Sequence, residues 1–419
     1  MPEQMIGNGI RYTEICDPKF RSCMLLLRFY MPRDAQTAPV HALLTDQLTA
    51  SSAAYPGLSA LSRRLDALYA ADFSGRLMLC GDAAALSFSA SWLDDHFALE
   101  QEDLTGEMLE LVTGCLLKPN LTDGGFSEPE FSLCRQNLLD DIDCERNDKR
   151  LYAMQRAAAL SFEGEPAALP PFGERQYAEA ITPQQAYAVW TQILRTAPID
   201  IVCILPSAKP VRAALEAAFS QIPRSPVPAP LQAVSPLREV PQRCEERISM
   251  NQSKLVMTYK FRGIAPDVLR MLNSILGGIN NSLLFLNVRE ARSLCYYCLS
   301  SYSLLKGILS IDCGVQSSDL PAAEAAVSEQ IALLRRGDFP ESMLREAVLD
   351  YQGRAAVREN TNSGTAGRIA DGQMLGDTRS PDEIAAAFSK VTRAQIAEAA
   401  RQLVPDTVYI LRAEEADEP

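Results

Sequence analysis

The chain has 419 residues, a formal net charge of −13 and only two histidines. Its length predicts two to three domains, and its apolar and charged fractions, 47% and 22%, are those of an ordinary globular protein. The acidic balance argues against nucleic acid and anionic membranes as main partners, because both bind basic patches.

The first residues, the apolar runs and the cysteines of the chain bear on its location in the cell. The first residues, MPEQMIGNGIRYTE, have no basic region followed by an apolar core, so we expect no secretory signal. No apolar run approaches the length that spans a bilayer. The eleven cysteines are an odd number, and most lie inside apolar stretches such as IDIVCIL. Reduced, buried thiols of this kind favour a cytoplasmic location.

The first half of the chain begins with an alternating apolar strand, which is predicted at Cys23–Pro32. Helices are predicted next at Ala42–Leu48 and Leu58–Leu68, and a strand pair lies within Leu77–Trp92. Phe126-Ser127-Glu128 then opens a long charged helix. Strands and helices in this order predict the α+β class.

The middle of the chain is rich in proline. Ile222–Arg243 contains six prolines and no hydrophobic periodicity, which predicts an extended linker. Beyond it the order of elements repeats: a strand at Ser253–Gly263, helices at Val268–Leu276 and Ser282–Glu290, a strand pair within Tyr296–Val315, and a long helix after Phe339-Pro340-Glu341.

The end of each half gives the clearest match. Ile181–Leu205 and Val391–Leu411 both predict a Thr-capped helix, a Pro-containing turn and a β-branched strand. Any two α+β units share a similar order, but matching caps and strand ends favour duplication. The predicted domains are therefore 1–221, a Pro-rich linker at 222–243, and 244–419.

The most informative run is Gly277–Tyr297, GGINNSLLFLNVREARSLCYY. A Gly-Gly turn leads into an apolar helix, then an Arg-Glu pair, then a strand-like segment. The run resembles the C-terminal half-domain signature of the pitrilysin/insulinase-type metallopeptidases, the inverzincins. The resemblance implies two homologous half-domains of the mitochondrial-processing-peptidase-like type, each an antiparallel sheet packed with helices. It also implies that Arg289 and Tyr296 hold a peptide and stabilise its oxyanion.

The zinc motif of that family is absent. It is H-x-x-E-H on a helix, with two His ligands and a Glu general base. At the corresponding place the chain reads PVHALLTDQL, so that His41 is followed by Leu44 and Thr45 where Glu and His belong. The other histidine, His96, is distant in sequence and is predicted to lie at the surface. We therefore expect no metal and no other cofactor on this chain, with zinc on a partner subunit.

The resemblance extends to one group within the family. Tyr55-Pro56 and Leu65–Tyr69 (LDALY) are similar to the bacterial insulinase-family proteins named for association with elongation factor P 5-aminopentanol modification. The function implied is that of a non-catalytic subunit of a heterodimeric metallopeptidase. It would supply Arg289 and Tyr296 to a zinc-bearing homologue that cleaves short or unfolded peptides. The alternative is a peptide-binding or scaffold protein with no proteolytic role.

Peptide capture is also predicted on the first half. In the family a substrate adds as a strand to a sheet edge of the zinc-bearing half. The equivalent here is Ala71–Met78, where Ser74 and Gly75 would let another backbone approach closely. Tyr297, which follows Tyr296, is expected to point to the opposite strand face and to pack.

Two further clusters of residues could bind a metal or carry redox chemistry, but neither role is favoured. The carboxylates Asp140, Asp141, Asp143 and Glu145, with Asp46, would suit a divalent cation. Without the two histidines, a solvated helix face is the preferred interpretation. Cys295 and Cys298 form a C-x-x-C, which could be half a zinc knuckle or a redox pair. Since no second cysteine pair or histidine lies near them in sequence, buried strand thiols are favoured.

Overall fold

The computed structural model of the chain describes residues 3–414, so residues 1, 2 and 415–419 of the predicted domain ranges lie outside the described residues. The chain is an α+β protein, which confirms the predicted class. Its strands are β1 (Gln4–Gly7), β2 (Ile10–Cys16), β3 (Ser22–Pro32), β4 (Asp72–Cys80), β5 (Ala83–Leu93), β6 (Leu121–Thr122), β7 (Gly125–Phe126), β8 (Ile199–Leu205), β9 (Gln242–Ser249), β10 (Ser253–Lys260), β11 (Cys295–Ser303), β12 (Ile308–Val315) and β13 (Val404–Glu414).

The helices within residues 3–414 include those predicted near Ala42–Leu48, Leu58–Leu68 and Val268–Leu276. They are α1 (Ala38–Ala50), α2 (Leu58–Ala67), α3 (Leu104–Leu117), α4 (Glu128–Cys144), α5 (Lys149–Ser161), α6 (Arg175–Glu179), α7 (Pro183–Thr196), α8 (Val211–Phe219), α9 (Pro266–Asn273), α10 (Leu320–Arg336), α11 (Ser342–Glu359), α12 (Asn362–Leu375), α13 (Pro381–Phe388) and α14 (Arg393–Arg401). Two segments are π-helical, Ser274–Gly278 and Phe285–Glu290.

The chain forms two compact units that exchange segments. The first unit contains the chain up to Cys144, then Leu169–Leu231 and Arg358–Thr378. The second contains Glu145–Ala168, Gln232–Val357 and the chain from Arg379 onward. The predicted division into 1–221 and 244–419 is continuous along the chain and does not describe this exchange. Sequence periodicity reports which face of a helix is buried, but not which sheet covers it.

The first unit is built on a six-stranded sheet in the order β1-β2-β8-β3-β5-β4. One face carries the main core, in which Phe29, Phe88 and Trp190 meet edge to face. The exchanged helix α12 covers part of the other face, where its Ala366, Ile369 and Ala370 pack with strand residues that include Met24 and Leu26. The small side chains of α12 let the helix lie close to the strands.

The second unit is built on a five-stranded sheet in the order β11-β12-β10-β13-β9. Helices α9, α10 and α14 contribute to the core on one face. The exchanged helix α5 places Ala153 and Ala157 against Val256, Tyr409 and Leu411 on the other face. Each unit is therefore completed by one alanine-bearing helix that comes from the other half of the sequence.

The predicted antiparallel sheets need one correction. In the first sheet β2 and β8 are parallel, and in the second β13 and β9 are parallel, whereas the other strand pairs are antiparallel. Each parallel pair joins the first long strand of a unit to a strand far along the chain. Long crossovers of this kind carry no local turn signal that would reveal strand direction.

Candidate functional site

Helix α1 occupies the place of the zinc-motif helix, and its side chains are packed rather than presented. His41 is buried, and this burial lowers its pKa to about 4, although nearby Asp34 acts in the opposite direction. Leu44 is fully buried. The Thr45 hydroxyl donates to the Ala42 carbonyl at 2.7 Å. The helix therefore holds one apolar side chain and one satisfied hydroxyl where the motif needs a base and a ligand.

The acidic cluster of helix α4 is engaged in local contacts. Asp140 accepts a hydrogen bond from Gln136 at 2.8 Å, and Asp143 pairs with Arg175 at 2.5 Å. Asp141 lies near Asp46 on α1, whose pKa is raised by burial first and by that second carboxylate next.

Metal binding at this cluster finds no support. Glu145 begins a segment of the second unit, and burial raises its pKa. Within residues 3–414 no three His, Cys, Asp or Glu side chains are grouped so that they could hold a metal ion.

Strand β4 forms one edge of the first sheet and carries Ser74 and Gly75. Ser74 hydrogen-bonds with Asp72 and with Ser89 on β5. A Cβ added at Gly75 would lie 2.4 Å from the Thr45 carbonyl oxygen of α1. The close backbone approach expected at this glycine is thus made by the chain's own helix, and peptide capture along the β4 edge stays a prediction.

The signature run of the second unit contains both π-helical segments. The one at Phe285–Glu290 is closed by a wide hydrogen bond from the Ala291 amide to the Leu286 carbonyl at 2.9 Å. The Ser293 amide then donates to the Arg289 carbonyl at 3.0 Å, and this bond connects the π-helical segment to strand β11. Helical turns of this type are rare and occur frequently at functional sites.

Arg289 lies at the end of that π-helical segment with 41% of its side chain exposed. Its guanidinium carbon is 4.7 Å from the centre of the Phe285 ring, which holds the side chain in place. The charge pairs with Glu290 at 3.6 Å. An exposed ion pair contributes little free energy, so this contact does not prevent the guanidinium from binding a peptide carbonyl.

Tyr296 is the extra residue of a β-bulge. Along β11, Cys295 pairs with Val315 and Tyr297 already pairs with Gly314, so Tyr296 has no opposing residue. Its side chain is 66% exposed, and Gln316 approaches the hydroxyl at 3.5 Å. Bulges bend a strand and redirect a side chain, and they are common beside active sites. The geometry therefore presents this phenol to solvent.

Tyr297 has a different environment. The guanidinium carbon of Arg150 lies 4.7 Å from its ring centre, and the Lys254 ammonium lies 5.4 Å from it. Burial raises the pKa of this phenol. Its hydroxyl has no hydrogen-bond partner among the described side chains and backbone. Tyr297 is therefore a packed residue, in contrast with its exposed neighbour.

Sequence reasoning missed the bulge and both π-helical segments. The sequence held one signal for the bulge. Cys295 and Cys298 are three residues apart, and both were expected to be buried. A regular strand would place them on opposite faces. The π-helical segments had no comparable signal.

The chain is similar in sequence to a family of inactive peptidase domains and to two bacterial proteins. Residues 208–349 match the family model described as Peptidase M16 inactive domain. A Bacillus subtilis (strain 168) protein named "Probable inactive metalloprotease YmfF" is 23% identical over 407 residues, which cover 95% of this chain and 94% of that protein. A second protein of that strain, "Uncharacterized zinc protease YmxG", is 30% identical over 136 residues, which cover 32% of this chain and 33% of it.

Solved structures show the same fold. A conserved protein from Enterococcus faecalis V583 has a TM-score of 0.90 at 23% identity, covering 100% of this chain and 99% of that one. A peptidase M16 inactive domain from Pseudomonas fluorescens has a TM-score of 0.78 at 16% identity, covering 98% and 97%.

Among residues 3–414, the environment of α1 and the lack of any other metal-ligand group give no zinc site, in agreement with the inactive-domain match and the inactive relative. Separately, the helices between residues 3 and 414 include none long and apolar enough to cross a membrane.

Proposed function

The chain is a zinc-less protein of the insulinase-type peptidase family, and we propose that it is the non-catalytic subunit of a heterodimeric zinc metallopeptidase. In this proposal a homologous partner brings the H-x-x-E-H helix, and this chain brings Arg289 and Tyr296. The exposure of Tyr296 at its bulge is the observation that carries the proposal. A core or scaffold role alone would not require a phenol turned out of the strand register.

The proposed chemistry divides between the two side chains. The Arg289 guanidinium offers several fixed donors to the carbonyl groups of a bound peptide. The Tyr296 hydroxyl would donate to the scissile carbonyl oxygen as that oxygen becomes negative during hydrolysis, for which the partner's metal would supply the activated water. The backbone hydrogen bond from the Ser293 amide to the Arg289 carbonyl closes the turn that leads from Arg289 towards strand β11, where Tyr296 lies. No proton transfer is required of either residue.

The proposed substrate is a short or unfolded peptide. An extended peptide adds to a sheet edge through main-chain hydrogen bonds, with little demand on its sequence. Strand β4, with Ser74 and Gly75, is an edge strand and remains the proposed capture site on the first unit. The contact of Gly75 with α1 occupies one face of the strand and leaves its free edge as the candidate surface.

The names of two relatives support the proposed partner, and the cysteines support the proposed location. The two Bacillus subtilis relatives bear an inactive-metalloprotease name and a zinc-protease name, so one organism has proteins named for both kinds. A cytoplasmic location is supported by the cysteines, since all eleven are free thiols and eight of them are buried.

Co-purification with a zinc-bearing homologue tests the proposal. A homologue with an intact H-x-x-E-H motif, sought first among the neighbouring genes, should be expressed with this chain, and each chain should also be purified alone. We expect cleavage of an unfolded reporter peptide by the pair only. A stable pair that is no more active than the homologue alone would favour the scaffold role, and absence of any complex would leave the proposal without a partner.

A further inference from the structure

Three cysteines of the second unit form one buried cluster. Cys295 and Cys298 belong to β11 and Cys313 to β12, with exposed fractions of 8%, 2% and 1%. Residues three apart on a regular strand point to opposite faces. The extra residue at Tyr296 restores Cys295 to the core face, so that both thiols of the C-x-x-C point inward. The bulge that exposes the tyrosine thus also assembles the thiols.

Cys298 and Cys313 are direct partners in the strand register, and their sulfur atoms are 2.7 Å apart. Directly opposed residues of antiparallel strands have Cα atoms about 4.5–5.5 Å apart. A disulfide accepts Cα separations of about 4.4–6.8 Å. The two thiols can therefore be joined without moving either strand.

We propose that Cys298 and Cys313 are a thiol–disulfide modification site, which hydrogen peroxide oxidises by way of Cys295. This inference does not rest on the proposed peptidase role, because it uses only contacts within the second unit.

The reaction balances with one peroxide molecule. The Cys295 thiolate attacks the peroxide, which leaves a sulfenic acid and hydroxide. The Cys298 thiol then displaces water and forms a Cys295–Cys298 disulfide. The Cys313 thiolate attacks the Cys298 sulfur, and Cys295 leaves and takes a proton. In total two thiols lose two electrons and two protons, and the peroxide becomes two waters.

Cys295 is the least buried of the three thiols and the nearest to solvent along the chain. It is the first residue of an edge strand, and the residues at 291–293 just before it are exposed. In the closed strand, hydrogen bonding with Cys298 and burial raise the pKa of Cys295, although the Arg289 charge opposes them. Oxidation therefore requires the end of β11 to open, and such edge segments open at low free energy.

Peroxide treatment of the full folded chain tests the site. After alkylation of the remaining thiols, trypsin should release residues 293–306 joined to residues 307–335. The joined species should carry one alkyl group, on Cys295, and two hydrogens fewer than the same two peptides unjoined. A dithiol reductant should return both free peptides. Oxidation confined to other cysteines, such as exposed Cys16 and Cys144, would overturn the proposal without any variant.

Variants then resolve the route. Cys298→Ser should abolish the joined peptide, and Cys313→Ser should trap the Cys295–Cys298 disulfide. Cys295→Ser should slow joining about tenfold or more, since the entry thiol is lost. Cys115→Ser removes a buried thiol of the first unit and should change nothing. Joining at the wild-type rate in Cys295→Ser would overturn the assigned entry thiol.

Discussion

The two units share one strand order and differ in the helix that packs against each edge strand. β4-β5-β3-β8-β2 in the first unit corresponds to β11-β12-β10-β13-β9 in the second. In the first unit that helix is α1, a regular helix with a buried histidine. In the second the chain passes through two π-helical segments and reaches an exposed arginine. The same topology therefore supports a packed site in one unit and an exposed one in the other.

A pair of glycines shows how local sequence produces this difference. In the first unit the strand supplies the glycine, and Gly75 meets the Thr45 carbonyl of the helix. In the second the helical segment supplies it, since a Cβ at Gly277 would lie 2.7 Å from the Ser300 nitrogen of β11. Both units need close contact between helix and edge strand. The close contact is therefore preserved, while the element that supplies the glycine changes from the strand to the helical segment.

The largest expected effect comes from the exposed site of the second unit. Tyr296→Phe should lower kcat of the assembled pair by roughly 10²–10³-fold, the usual effect of removing one oxyanion donor. KM should change little, because the hydrogen bond strengthens mainly in the transition state. Arg289→Ala should affect both constants, since the guanidinium also positions the peptide. Steady-state kinetics on the co-expressed pair measures both.

The matched control for that substitution is Tyr297→Phe, which removes a hydroxyl from the packed neighbour. It should leave kcat within about threefold of the wild type, because a buried phenol does not reach substrate. Full activity in both Tyr296→Phe and Arg289→Ala would end the distinction between the two units and favour the scaffold role.

The next largest effect should come from the packed site of the first unit. Burial lowers the pKa of His41 from 6.5 to about 4, so the unfolded chain binds a proton more readily than the folded one. The free energy of unfolding should therefore fall as pH drops from about 6.5 to about 4, by up to about 3 kcal/mol from this residue. Urea unfolding at a series of pH values measures it.

Two variants isolate the histidine from the carboxylates that titrate nearby. His41→Leu should flatten the decline of stability over that pH range, whereas His96→Gln, at an exposed histidine, should keep it. If the free energy of unfolding of His41→Leu fell with pH as in the wild type, His41 would not be buried as a neutral imidazole in α1.

The glycine contacts should give the smallest of these effects. Gly75→Ala and Gly277→Ala each force a methyl group against backbone atoms, and we expect each to lower the free energy of unfolding by about 2 kcal/mol. Gly353→Ala in α11 is the control, because a Cβ there meets nothing within 4 Å. It should be neutral or stabilising by up to about 1 kcal/mol. Equal changes in the free energy of unfolding at Gly75, Gly277 and Gly353 would show that the close contacts of the first two glycines do not matter for stability.

Much of the fold was predictable because its signals are local. Thr182 and Thr392 each receive the amide hydrogen bond expected of a helix cap, and the strands after their helices follow as predicted. The exchange of α5 and α12 was not predictable, because an alanine-bearing face fits either sheet equally well. The parallel strand pairs were not predictable either, because the long connections between their strands carry no local turn signal.

The sequence proposes the residues of the candidate site, but it does not predict their geometry. The resemblance to the family signature proposes Arg289 and Tyr296. The loss of the zinc motif can be read directly from the sequence, where Leu44 and Thr45 follow His41. The exposure of Tyr296 depends on a bulge whose register is set across two strands. The filled face of Gly75 depends on a helix that lies thirty residues earlier in the chain. Pairings over such distances leave no periodic trace in a single sequence.

Metal analysis of the separated subunits tests the central claim most directly. We expect no stoichiometric zinc on this chain, whether it is purified alone or recovered from an active pair, because Leu44 and Thr45 stand where the base and the second ligand are needed. The partner should carry about one zinc per chain, as a single H-x-x-E-H site binds one ion. About one tightly held zinc on this chain, retained after dialysis against a weak chelator, would contradict the account.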